Sequence, residues 1–172
     1  MFKKRLAISH IRCVILMLLI LLAMIWPGQV FARVTPEDIV NSKREAYEKT
    51  VKNYSFDHKQ KLKILSDKIA EINKRRADEL DQIMINQARI LDEYELRSNG
   101  NNKVGIEKAR YQITYAHEAI AYQAAKIYIF ILNGEGNIKN DALNLISLFE
   151  GELLSARSKV IYSGQILKGV IK

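Results

Sequence analysis

Residues 106–132 read IEKARYQITYAHEAIAYQAAKIYIFIL, and the fold turns on this stretch. Isoleucine recurs every seven residues, at Ile106, Ile113, Ile120 and Ile127. Alanine follows the first two at a distance of three, at Ala109 and Ala116. A seven-residue repeat keeps side chains on one face of an α-helix with only slow drift. The isoleucines therefore predict a buried line, and the alanines beside it let a neighbouring helix approach closely. Burying four isoleucines is worth roughly 6–12 kcal/mol before entropy costs. Beyond Ala119 the segment is apolar nearly all round, which predicts a helix packed between two others. Its last residues, Ile127-Tyr128-Ile129-Phe130-Ile131-Leu132, would point in every direction on a helix. They read as the enclosed end of a bundle, or as an exposed apolar patch for a partner or a membrane surface. A β-strand is the remaining alternative, because these residue types favour strands.

Upstream, Val34-Thr35-Pro36-Glu37-Asp38-Ile39 opens a helix. Thr35 can cap it, Pro36 suits the first helical position, and Glu37 and Asp38 face the positive end of the dipole. Val34 and Ile39 are spaced as a hydrophobic staple. From there to Arg97 the chain has neither Gly nor Pro. Tyr47, Val51, Tyr54, His58, Leu62, Leu65, Ile69 and Ile72 step by three or four residues. The pattern slips near Arg76 and resumes with Leu80, Ile83, Met84, Ile90, Leu91 and Tyr94. This predicts one long helix over 36–97, continuous or gently kinked, with Asn53–Asp57 as the place to bend. Arg97 suits its negative end, and Gly100 supplies the left-handed stop. A second helix is predicted over 103–132, a turn at 133–137, and a third helix over 139–168. The apolar line of the third is Ala142, Leu145, Phe149, Leu153, Ala156, Val160 and Leu167. Gly151 and Gly164 weaken it unless they permit close packing. Short turns make successive helices antiparallel neighbours. The expected fold is all-α: an antiparallel three-helix bundle or coiled-coil hairpin with a long first helix.

The first 32 residues differ from the rest. Lys3, Lys4, Arg5 and Arg12 make a basic start, and CVILMLLILLAMIW, Cys13 to Trp26, follows without a polar break. Pro27 and Gly28 end that run, and Val30-Phe31-Ala32 resembles a small-residue cleavage site. The apolar core is shorter than the roughly 20 residues that span a bilayer. Residues 1–32 thus predict a signal peptide and residues 33–172 a secreted or periplasmic helical domain. The rival is an uncleaved anchor over 6–26. The only cysteine, Cys13, leaves with the signal, so the mature chain has no disulfide, thiol nucleophile or cysteine metal site. The chain carries a formal +8, half of it on the four basic residues of the signal. The mature part is mildly basic. Export makes nucleic acid an unsuitable partner, whereas an anionic membrane surface, a cell-wall polymer or an acidic protein suits it.

Motifs of chemistry are started but not completed. His117-Glu118-Ala119-Ile120-Ala121 begins like the zinc-protease helix, but Ala121 stands where the second histidine is required. A di-iron bundle needs Glu three residues before each His, and Thr114 and Ser55 stand there. His58 falls in line with the helical seam and reads as a core histidine. Asn133, Glu135 and Asn137 mimic the first calcium ligands of an EF-hand, but Ile138 and Asn144 replace its Gly and closing Glu. Lys59, Lys61, Lys63 and Lys74-Arg75-Arg76 lie among acids and read as a solvated helical face. No catalytic, cofactor or metal residue is assigned, and the chain is not expected to be an enzyme. The candidate surface is Tyr111, Tyr115 and Tyr122, on one side of the second helix, with Tyr128, Ile129 and Phe130 beyond them. The first three tyrosines either pack on the third helix or form an amphipathic binding strip.

These features predict an exported interaction or assembly module of the cell envelope with a protein partner, itself able to self-associate. In export, basicity and long helices the chain is similar to periplasmic holdases of the Skp type. That resemblance implies a chaperone for unfolded proteins, although the strand-rich segments by which such holdases trimerise are lacking. With the signal retained, the chain would be a membrane-tethered coiled-coil stalk.

Overall fold

Ser55 offers the backbone a hydrogen bond that competes with a continuous helix, and the chain uses it to restart after a break. The computed structural model describes residues 35–99 and 101–172. Among these, α1 spans Pro36–Val51, α2 Phe56–Ser98, α3 Lys103–Ala124 and α4 Ile138–Val170, with a 3-10 turn at Glu135–Asn137. The architecture is all-helical, and the described residues contain no strand. The predicted signal at 1–32, Val34 of the staple and the predicted stop at Gly100 lie outside the described residues.

The single first helix over 36–97 is corrected to two. Tightened bonds from Asn53 N to Thr50 O and from Tyr54 N to Val51 O end α1. Ser55 then caps α2, its side chain accepting from His58 N at 3.5 Å. Tyr54 turns its ring inward at the break and is buried. The slip near Arg76, by contrast, leaves α2 unbroken. The inward line there runs through Asn73 and Ala77, both buried. α2 ends on Asn99, which takes the left-handed conformation at φ 48°.

The second predicted helix is also shorter than expected. α3 stops at Ala124, and residues 126–134 are neither helix nor strand. Burial alternates along this segment from Phe130 on, while Tyr128 and Ile129 before it are both half-buried. Phe130 is buried and Tyr128 and Leu132 are half-buried, while Ile127 and Ile131 are exposed. The isoleucine line therefore holds for three of its members. Ile106, Ile113 and Ile120 are buried, whereas Ile127 is 58% exposed.

Two apolar clusters hold the helices. In the first, Ala77, Leu80, Met84 and Leu91 of α2 meet Ile106, Ala109, Ile113, Ala116 and Ile120 of α3 and Val160 and Leu167 of α4. Ala109 and Ala116 are fully buried, so the small side chains do bring the helices close. In the second, Tyr54, Leu62 and Ile69 meet Phe130, Leu145 and Phe149, with Tyr47 and Val51 of α1 packed against them. Polar contacts give the directions. Arg110 reaches Asp92 near the turn, and Asn73 reaches Gln123 at the far end, so α3 is antiparallel to α2. Asn102 bonds Val170, and Tyr128 just beyond α3 bonds Glu152, so α4 is antiparallel to α3. Ser163 donates to Gln87 Oε1 at 2.7 Å, and Gly164 sits beside the same glutamine, where an added Cβ would meet Nε2 at 3.0 Å.

His58 is not a core residue. It is half-exposed and lies 2.6 Å from Glu135 Oε1, which also accepts from Ser55 N at 2.8 Å. The turn before α4 is thereby clasped to the start of α2. Hydrogen bonds from the Ser55 side chain and N–H, then from His58, pull the Glu135 carboxyl from 4.5 down to about 2. A carboxyl depressed in the folded state contributes stability above its unfolded pKa and loses that contribution as pH falls through the folded value. Thermal unfolding followed between about pH 5 and pH 2 should show a steeper loss of Tm in the wild type than in Glu135→Gln. Parallel profiles would contradict the clasp.

Candidate interaction surface

On an α-helix, positions four and seven apart share a face. α3 places Tyr111, Tyr115 and Tyr122 in that relation on the side away from its buried isoleucines. They are 66%, 45% and 70% exposed. Tyr111 and Tyr122 stand largely in solvent, and Tyr115, the least exposed of the three, also meets the third predicted helix through Lys159. The Tyr111 and Tyr115 rings stack, 6.4 Å between centroids and 7° from parallel. Lys159 of α4 lies over the Tyr115 ring at 4.7 Å, and Lys126 over the Tyr122 ring at 4.9 Å. Each ammonium is held by the negative face of a ring, which orders the phenols.

The other sequence-predicted residues leave the strip. Tyr128 is half-buried, packed edge-on against Phe149 with centroids 5.2 Å apart. Its hydroxyl accepts from Gln123 Nε2 at 2.7 Å and donates to Glu152 Oε2 at 2.8 Å. Burial and the bond to Glu152 push its pKa up. Ile129 is half-buried, and Phe130 lies inside the chain's own core. These three anchor the extended segment.

The bonds that fix this end of the bundle come from polar residues outside the candidate surface. Asn73 Nδ2 donates to Gln123 O, and Gln123 Nε2 donates to Asn73 Oδ1, both at 2.9 Å. The buried amide of Asn73 thus adds a second bond to a carbonyl in the last turn of α3, which also accepts from Lys126 N at 3.2 Å. Lys126 bonds Glu152 at 3.0 Å. Buried Asp141, in the first turn of α4, accepts from both Asn133 N and Asn133 Nδ2 at 2.8 Å. Its negative charge suits that end of the helix.

The basic clusters behave as a solvated face, with Lys61 paired to Asp57, Lys74 to Asp78 and Arg76 to Glu79. His117 is exposed and pairs with Asp81 at 2.8 Å. An open groove of about 400 Å³ lies between α2 and α3, with Met84, Ile85, Ala88, Leu96 and Ile113 among its lining and Arg89, Asp92, Glu93 and His117 beside them. Among the described residues, no three His, Cys, Asp or Glu side chains group so as to hold a metal ion, and no helix is long and apolar enough to cross a membrane.

The chain matches no family model, no curated protein and no solved structure. Its own surface is the ground for a functional reading.

Proposed function

We propose that the chain is an exported, non-enzymatic interaction module of the cell envelope. Its working form would be an antiparallel three-helix bundle, α2 to α4, with α1 as a short arm. The tyrosine strip of α3 holds a protein partner. One observation carries this reading: Tyr111, Tyr115 and Tyr122 stand in solvent together, with two lysines laid on their rings. Tyrosine presents a flat apolar ring and a hydrogen-bonding hydroxyl at low entropic cost, which is why it concentrates binding energy at interfaces. Lys126 is already paired with Glu152, so it is Lys159 that favours a partner whose contact surface is acidic at its edge.

Site-specific photocrosslinking in the native envelope tests the reading. A photoreactive phenylalanine at Tyr111 or Tyr122 should give one discrete adduct, and the same group at Lys68 or Glu71 of α2 should give none. Replacing Tyr115 by Ala should weaken the adduct on the order of tenfold, the usual loss for an interface anchor. Equal adducts from strip and control positions would count against the strip, and a smear of clients from every position would favour a holdase. A mature mass beginning at Arg33 in a secreting host tests the export part.

A further inference from the structure

The face of α4 that points away from its buried line carries large apolar side chains. There Leu143, Leu148, Leu154, Ile161 and Tyr162 stand in solvent, each between 49% and 61% exposed. Leu154 and Ile161 are seven residues apart, and Gly151 and Ser158 alternate with them in steps of three and four. This is a heptad seam. It lies on the opposite side of α4 from the buried line through Leu145, Phe149, Ala156 and Val160. A Cβ at Gly151 would meet nothing within 4 Å, so the seam has an open notch at that point. One flank carries Glu150 and Arg157, also seven apart. Both are exposed, and neither has an ion-pair partner among the described residues.

We infer that this face pairs antiparallel with the same face of a second copy of the chain. One register satisfies size and charge together. With Leu154 seated in the partner's Gly151 notch, two-fold symmetry seats the partner's Leu154 in the first chain's notch. The same register sets Glu150 against the partner's Arg157, and Arg157 against the partner's Glu150. Flank residues of the same heptad position face each other only when the helices run antiparallel. A parallel pairing would set Gly151 against the partner's Gly151, leaving a gap, and would face Glu150 with the partner's Ser155. The line from Gly151 to Ile161 is about 15 Å long at 1.5 Å per residue. It removes leucine and isoleucine side chains from water without burying an unpaired charge. The inference does not rest on the tyrosine strip, which belongs to α3.

Sedimentation equilibrium of the purified chain, as its host processes it, tests the pairing. The wild type is expected as a dimer at micromolar concentration. Glu150→Arg opposes like charges twice across the two-fold axis and should weaken the dimer at least about tenfold. Combining it with Arg157→Glu exchanges the charges and should restore wild-type association. Gly151→Leu fills the notch and should also dissociate the dimer, while circular dichroism keeps its helical amplitude because the position is open to solvent. A monomeric wild type would overturn the inference. So would a Glu150→Arg variant that stays dimeric, or a double exchange that fails to restore the dimer.

Discussion

Replacing Ile120 by Ala should destabilise the chain by about 2–5 kcal/mol, while Ile127→Ala should change its stability by less than about 0.5 kcal/mol. The two residues are equivalent members of one seven-residue repeat. Their surroundings are not. Ile120 is 1% exposed, within the cluster that joins α2, α3 and α4. Truncation there forfeits the transfer of its methylene and methyl groups and leaves a hole that close packing cannot fill. Ile127 has left the helix and is 58% exposed, so its loss removes little from the interior. Urea denaturation of both variants, compared at constant m-value, measures the difference. Equal losses would mean that the helix continues through Ile127 and that the line stays buried along its whole length.

The extended segment supplies the second large effect. Phe130→Ala should cost about 3–5 kcal/mol, and its neighbour Ile131→Ala less than about 0.5 kcal/mol. Phe130 is 3% exposed and packs with Tyr54, Leu62, Ile69, Leu145 and Phe149. Tyr47 of α1 approaches it with ring centroids 6.3 Å apart. One aromatic ring therefore joins the arm, the segment after α3, α2 and α4. Ile131 points the other way and is 67% exposed. Loss of Phe130 should also loosen α1, which is seen as faster amide exchange over residues 46–51. Comparable costs at 130 and 131 would contradict the extended geometry.

Much of this architecture was legible in the sequence, for reasons that can be named. Ile106, Ile113 and Ile120 with Ala109 and Ala116 announce α3 because a heptad of apolar and small residues has one helical meaning. Leu145, Phe149, Ala156, Val160 and Leu167 do the same for α4. The end of α3 was not legible. No Gly or Pro stands between Gly105 and Gly134, and Ala124-Ala125 favours continuing the helix. The chain leaves the helix because Tyr128 and Phe130 fill sites made by other elements, among them Phe149 and Leu145. That is tertiary packing overriding local propensity. Asn73 was hidden for the opposite reason. Its polarity removes it from an apolar count, yet it is buried because Gln123 supplies both of its hydrogen bonds.

The candidate surface divides the same way. The spacing of Tyr111, Tyr115 and Tyr122 puts them on one face whatever the bundle does. Lys126, four residues after Tyr122, could have been read from spacing as well. Lys159 could not, because its position over Tyr115 depends on the register between α3 and α4. His58 and Glu135, separated by 77 residues, become neighbours only once α2 and α4 lie side by side.

The central claim is that Ile106, Ile113 and Ile120 face inward and that the line ends there. Methyl-detected NMR with a soluble paramagnetic probe tests it most directly. The three methyl signals should remain sharp while those of Ile127 and Ile131 broaden strongly. Broadening at Ile113 or Ile120, or protection of Ile127 equal to theirs, would contradict the account.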